Sequence, residues 1–144
     1  MLKGRNLSKT IGGVEVLSGF DINISPSKIT CLIGPSGSGK STALNCLSLL
    51  AQPSKGVVSV DQHEYSFENE IGSVNGFPYP LVTVVFQGLF LWPHLTNERN
   101  IRLPLENRDF DINEFDYLID RLKIREILLK YPNECSGGEK QRVA

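Results

Sequence analysis

Residues 31–50 read CLIGPSGSGKSTALNCLSLL, an apolar run broken by glycine and serine before it turns apolar again. A chain that interrupts its core this way is building a site. Gly34, four residues, then Gly39-Lys40-Ser41 fit the phosphate-binding P-loop pattern. Four constrained positions match by chance in roughly one chain in two hundred of this length. The flanks carry the context that the pattern requires. KITCLI, residues 28–33, is apolar almost throughout and predicts a strand covered on both faces. Ala43, Leu44, Leu47, Leu50 and Ala51 recur at three and four residues and predict a helix with one buried stripe.

Glycines let successive backbone N–H groups turn inward as an anion nest, and a helix starting near Gly39 adds its positive end. Gly34, Pro35, Ser36, Gly37, Ser38, Gly39, Lys40, Ser41 and Thr42 are therefore the candidate lining of a triphosphate site. Lys40 would reach the β- and γ-phosphates, and the Ser41 hydroxyl would ligate Mg²⁺. The competing reading is a flexible Gly/Ser turn between a strand and a helix.

The 144 residues suffice for one domain with a real core, and 40 % hydrophobic with 22 % charged content is ordinary for a globular chain. A formal charge of −1 gives no electrostatic reason to expect nucleic acid or an anionic membrane as partner. No run approaches the roughly 18 apolar residues that span a bilayer. MLKGRNLSKTIGG has no signal-peptide core, so the expected location is the cytoplasm. Cys31, Cys46 and Cys135 lack metal-ligand spacing and predict reduced, mostly buried thiols. His63 and His94 stand apart from carboxylates and cysteines and are read as non-catalytic.

Phe20, Ile22 and Ile24 alternate with Asp21 and Asn23, the period of a half-exposed strand. QPSKG, with Pro53 and Gly56, is expected to stop the first helix, and VVSV to form another strand. Residues 61–80 are polar and turn-rich, and predict loop or short edge strands. LVTVVF, residues 81–86, predicts a buried strand ending at Gln87. Asp111 with Glu114 resembles a capping box, followed by Phe115, Leu118, Ile119 and Leu122 at helical spacing. REILLK predicts a second short helix ending before Pro132, and SGGEKQRVA a glycine turn feeding a helix.

A P-loop alone fits a kinase, a GTPase or an ATPase. Two later stretches separate these. CSGGEKQRVA, from Cys135, resembles the LSGGQ signature of ABC-type ATPases, and VVFQGLFLWPHLT, from Val84, is similar to that family's Q-loop region. VLSGFDINI, PSKGVVSVD and YPNE fill the gaps in family order, so the resemblance covers nearly the whole chain. It implies an α/β fold: a P-loop NTPase core with an N-terminal antiparallel β subdomain and a helical insert, truncated before the Walker B strand. The implied division is about 1–90 for the β subdomain and P-loop core, about 91–135 for the helical subdomain, and 135–144 for the signature and the start of its helix. PHLT and the short insert resemble importers of polar amino acids, whereas NIRLPL resembles some exporter and lipoprotein-release subunits.

The resemblance further implies ATP and Mg²⁺ as ligands, membrane-spanning permease subunits as partners, and a head-to-tail dimer on the inner face of the cell membrane. In that dimer Ser136, Gly137 and Gly138 would touch the γ-phosphate held by the second subunit's P-loop. Gln87 would reach Mg²⁺ or the attacking water, as the implied catalytic and metal-contacting residue. Phe90, Leu91 and Trp92 would face the permease or pack on the helical insert. Ile11 stands where the family usually stacks an aromatic ring on adenine, and an aliphatic side chain forgoes roughly 1 kcal/mol of stacking. Cys135 and Glu139 replace the usual Leu and Gln of the signature, and nothing in the sequence explains Arg99 in TNERNI.

In the family, the strand bearing the Mg²⁺-binding aspartate and the catalytic glutamate follows the signature helix, and a switch histidine comes later. The sequence stops at Ala144. It is expected to behave as a fragment, a truncated product or half of a split domain, folding poorly alone and hydrolysing ATP negligibly. A non-hydrolysing nucleotide-binding remnant is the alternative reading. A kinase is disfavoured because it has no use for a second anion nest.

Overall fold

Four strands lie in the first half of the chain: β1 (Leu2–Ile11), β2 (Val14–Ile24), β3 (Lys55–Val60) and β4 (His63–Glu68). They form one antiparallel sheet in the order β2-β1-β3-β4. The computed structural model describes residues 1–68, 81–106 and 110–144. These residues divide into two compact units, Met1–Val84 and Val85–Ala144.

In the first unit the sheet buries one face. Val58 and Val60 of β3 and Tyr65 and Phe67 of β4 alternate inward and meet Leu7 and Leu17. The α1 helix (Lys40–Leu47) lays Ala43 and Leu47 onto the same cluster. Each such large aliphatic or aromatic side chain contributes about 1.5–3 kcal/mol on full burial. On β2, Phe20, Ile22 and Ile24 are half-buried while Asp21 and Asn23 are exposed, as the alternation predicted.

A bulge breaks the register of β1 against β3 between Arg5 and Ser8. Asn6 takes a left-handed φ of 50° there, and its N–H donates to Asp21 Oδ1 at 2.8 Å. Gly56 lies opposite with φ 109°, and a Cβ on it would come within 2.5 Å of Asn6 O and 2.6 Å of Arg5 O. Only glycine fits under that bulge.

Three of the expected elements are corrected. The helix stops at Leu47, before QPSKG, because Ser48 turns its hydroxyl onto Leu44 O and Leu49 enters the left-handed region at φ 58°. Its buried positions are Ala43, Cys46 and Leu47, whereas Leu44 and Leu50 are exposed. KITCLI does not form a strand. Residues 28–33 are irregular, and Ile29 and Ile33 are 95 % and 88 % exposed; only Leu32 packs on the core. LVTVVF is likewise irregular, with Val85 71 % exposed and Val82 alone on that core. A strand apolar on both faces needs hydrogen-bonded neighbours and a layer on each side. Among the described residues these two runs have no strand partner. Within 61–80, expected to be loop or short edge strands, residues 63–68 form the edge strand β4; 69–80 lie outside the described residues.

The second unit holds α2 (Asn97–Arg102), α3 (Ile112–Leu122) and α4 (Gly137–Val143), with tight 3₁₀ turns at Leu103–Leu105, Arg125–Ile127 and Pro132–Glu134. Ile119, Ile124, Ile127, Cys135 and Val143 make its core, with Leu91, Ile101, Phe115 and Leu128 packed against it. Asp111 caps α3 as expected, accepting from the Asn113 N–H at 2.8 Å. Ile119 is its one buried residue, while Leu118 and Leu122 are exposed. REILLK gives a 3₁₀ turn rather than a helix, because Lys123 at φ 53° reverses the chain just before it. Arg125 fastens this corner by donating to Asp120 at 2.6 Å and Asp116 at 3.1 Å. No helix among the described residues is long and apolar enough to cross a membrane.

Candidate functional site

The glycine-rich loop sits where the pattern places it, with α1 beginning at Lys40. Gly39 is the N-cap, at φ 85° and without a side-chain cap bond. The first helical N–H to bond backwards is that of Ala43, to Gly39 O at 2.8 Å. The N–H groups of Lys40, Ser41 and Thr42 are thus those a helix start leaves without an intrahelical acceptor. Gly39 is also pressed against β2: a Cβ there would meet Val16 O at 2.8 Å. The loop has no room for a side chain at that point.

Lys40 folds back over the loop. Its Nζ donates to Gly34 O at 2.9 Å, to Pro35 O, and to Ser38 Oγ at 3.4 Å. The Ser38 N–H donates to Pro35 O at 3.4 Å, closing the turn. Gly34 through Ser38 are exposed, Thr42 is half-buried and Ser41 faces solvent at the second helical position. A cation at the mouth of a curled backbone, beside free N–H groups, is chemistry that fits a phosphate chain.

Ile11 closes β1 opposite Val14 and is 54 % exposed, open to an apolar contact. Gln87 does not end a strand. It lies in the turn closed by the Leu89 N–H on Phe86 O at 3.0 Å, and its side chain is exposed. The apolar cluster after it divides. Leu91 packs on the second unit's core, while Phe90 and Trp92 are 73 % and 54 % exposed, Phe90 edge-on to Phe86 with ring centres 5.2 Å apart. Cys46 and Cys135 are buried free thiols as expected, but Cys31 is exposed because the run that carries it is unpaired. Burial pushes the Cys46 thiol up, against the pull of Lys9. No group of His, Cys, Asp and Glu among the described residues could hold a metal ion.

Ser136 caps α4 and is tied to Glu139. The Glu139 N–H donates to Ser136 Oγ at 3.3 Å, while Ser136 N–H and O–H both donate to Glu139 Oε2 at 2.7 Å. This reciprocal pair is legible in the sequence as Ser-x-x-Glu, a helix-start signal independent of Glu139 replacing the usual Gln of the signature. Gly137 and Gly138 follow as the exposed first turn.

The Ser136 hydroxyl, then the Ser136 N–H, hold the Glu139 carboxyl below the usual glutamate range, with Lys130 and Arg142 adding to them against desolvation. A depressed folded pKa stabilises the cap above the unfolded value, about 4.3, and that contribution is lost as pH falls through the folded pKa. Carboxyl ¹³C titration should place the Glu139 midpoint below that of an ordinary glutamate, with protection of the Glu139 amide fading over the same range. A midpoint at or above the ordinary value would mean that the cap does not form in solution.

Two asparagines went unnoticed in the sequence. Asn100 accepts from the Trp92 N–H at 2.7 Å and donates to Trp92 O, Leu95 O and Thr96 O at 3.1–3.2 Å. Asn97 is wholly buried. Their spacing of three after the capping Thr96 was the available signal.

Residues 17–144 match the family model described as ABC transporter. The glutamine transport ATP-binding protein GlnQ of Escherichia coli (strain K12) is 34 % identical over 100 % of this chain, which covers 61 % of that protein. The lipoprotein-releasing system ATP-binding protein LolD of Aquifex aeolicus (strain VF5) is also 34 % identical, over 100 % of this chain and 66 % of that protein. The dimeric structure of MJ0796, a bacterial ABC transporter cassette, superposes with a TM-score of 0.75 at 30 % identity, covering 99 % of this chain and 66 % of that one. The chain therefore spans less than two thirds of the length of these relatives.

Proposed function

The chain belongs to the ABC transporter family, and from that premise we propose that it is the ATP-binding part of a subunit coupling ATP binding and hydrolysis to solute transport. The observation that carries this is the Lys40 ammonium, held by Gly34 O and Pro35 O at the mouth of a loop that opens an uncapped helix. Entering phosphate oxygens would take over the ammonium from neutral carbonyls, and charge-assisted bonds are roughly twice as strong as neutral ones. The N–H groups of Lys40, Ser41 and Thr42 then have anionic acceptors.

Bound Mg²⁺ would neutralise charge on the β- and γ-phosphates, and the Ser41 hydroxyl and Gln87 amide are the groups that would hold it. Gln87 would also orient the attacking water, and Ile11 would cover the adenine face. Ser136, Gly137 and Gly138 would contact the γ-phosphate on the P-loop of a second copy in a head-to-tail dimer. Phe90 and Trp92, bare on the surface, suit a membrane-spanning permease partner. That partner would hold the subunit peripherally at the inner face of the cell membrane. Polar amino acids are the proposed cargo, on the strength of Pro93-His94-Leu95-Thr96. A lipoprotein-release role is the alternative that NIRLPL supports.

Titrating the folded chain with Mg-ATP tests the nucleotide step. Amide resonances from Gly34 to Thr42 should shift and saturate together, and with Lys40→Ala the same shifts should need roughly tenfold to a hundredfold more nucleotide. Unmoved signals in the unsubstituted chain would remove the basis of this reading.

A further inference from the structure

Asn97, the first residue of α2, is 0 % exposed and its carboxamide is only half satisfied. Nδ2 donates to Ile127 O at 2.8 Å and to Cys135 Sγ at 3.1 Å, while Oδ1 has no partner among the described residues. Flipping the amide would aim Oδ1 at the Ile127 carbonyl, acceptor against acceptor, so the orientation is fixed by its neighbours. A buried acceptor without a donor works against folding. The Ile127 carbonyl does not depend on Asn97 either, since it also accepts from the Lys130 N–H at 3.1 Å. An apolar residue of the same size would serve the core better. The asparagine therefore does something other than stabilise.

What it reaches is the residue immediately before Ser136. Cys135 Sγ is held on one side by Asn97 Nδ2 and donates weakly to Tyr131 O at 3.6 Å on the other. The α2 backbone is docked to the same stretch, with the N–H groups of Asn97 and Glu98 donating to Lys130 O and Leu128 O at 2.9 Å each. One turn further along α2, Asn100 grips the loop from Trp92 to Thr96. A single short helix thus holds the exposed aromatic loop with one asparagine and the signature turn with the other.

We propose that Asn97 is a positioning residue for the signature turn: through Cys135 it sets the place of Ser136, Gly137 and Gly138 relative to α2. The importance of that placement for nucleotide chemistry rests on the proposed role of Ser136 at a γ-phosphate. The cysteine and the asparagine act as a pair, because a leucine at position 135, usual in the family's signature, offers nothing to an amide N–H.

Amide hydrogen exchange on the full chain, with its urea midpoint measured alongside, tests this without nucleotide. Asn97→Leu should leave the midpoint unchanged or raised, yet speed exchange of the hydrogen-bonded Ser136, Glu139 and Lys140 amides roughly tenfold by loosening local opening. The Trp92 amide, which donates to Asn100, should not change. Cys135→Ala, which removes only the sulfur, should reproduce the acceleration. Adding Cys135→Leu to Asn97→Leu should restore protection by closing an apolar contact. Unchanged exchange in both single variants would overturn the proposal. A midpoint that falls in step with faster exchange, or an Asn97→Leu chain that does not fold, would do the same by making the residue merely structural. Because no nucleotide enters the measurement, its failure is separate from failure of the ATP-binding reading.

Discussion

Gly56→Ala is expected to cost the first unit about 3–5 kcal/mol, most of the stability a small unit has. Two terms add. At φ 109° an L side chain is strained wherever it points, and here the added methyl would lie 2.5–2.6 Å from two backbone oxygens, Asn6 O and Arg5 O. Neither oxygen belongs to a flexible side chain, so relief must come from pulling β3 away from β1. That breaks the central pairing of the sheet, between Leu2–Ile11 and Lys55–Val60, and uncovers Val58, Val60 and Leu7. Urea denaturation with a backbone probe would show the loss. A midpoint shift equivalent to less than about 1 kcal/mol would mean that the bulge opposite Gly56 relaxes freely.

Lys40→Ala is expected to weaken Mg-ATP binding by roughly tenfold to a hundredfold, the loss of one charge-assisted hydrogen-bond set. The ammonium is the one cation that the structure places on the loop, bonded to Gly34 O, Pro35 O and Ser38 Oγ. Its removal also leaves those carbonyls to solvent, which they already meet, since residues 34–38 are exposed. Folding stability should therefore change little, and the binding loss should not be a folding loss. Calorimetric titration with circular dichroism on the same sample separates the two. Retained affinity would mean that the backbone N–H groups alone hold the phosphates.

Much of the site was legible because its signals are local. Gly34, Gly39, Lys40 and Ser41 fix a turn and a helix start within eight residues, and the structure has both. Ser136 and Glu139 cap a helix for the same reason. The alternation from Phe20 to Ile24 reported a sheet with one wet face. What failed was non-local. The apolar runs at 28–33 and 81–86 advertise what a strand would bury, and no pattern in them says whether a neighbour is there to pair with. The end of α1 was misplaced because Leu49 buries itself from a left-handed backbone, a conformation that leucine's preferences argue against. Asn97 escaped because one polar residue in a charged stretch looks like surface until the fold closes over it.

The open run at 28–33 bears on how the polypeptide must be handled. Ile29 and Ile33 lie almost bare on backbone that has no strand partner among the described residues, the combination that seeds intermolecular β stacking. The sequence brackets the hazard, with Pro26 and Lys28 ahead of it and Gly34-Pro35 behind, residues that stop a growing cross-β segment from lengthening. Yield in a preparation would then rise with dilution and with chaperone supply.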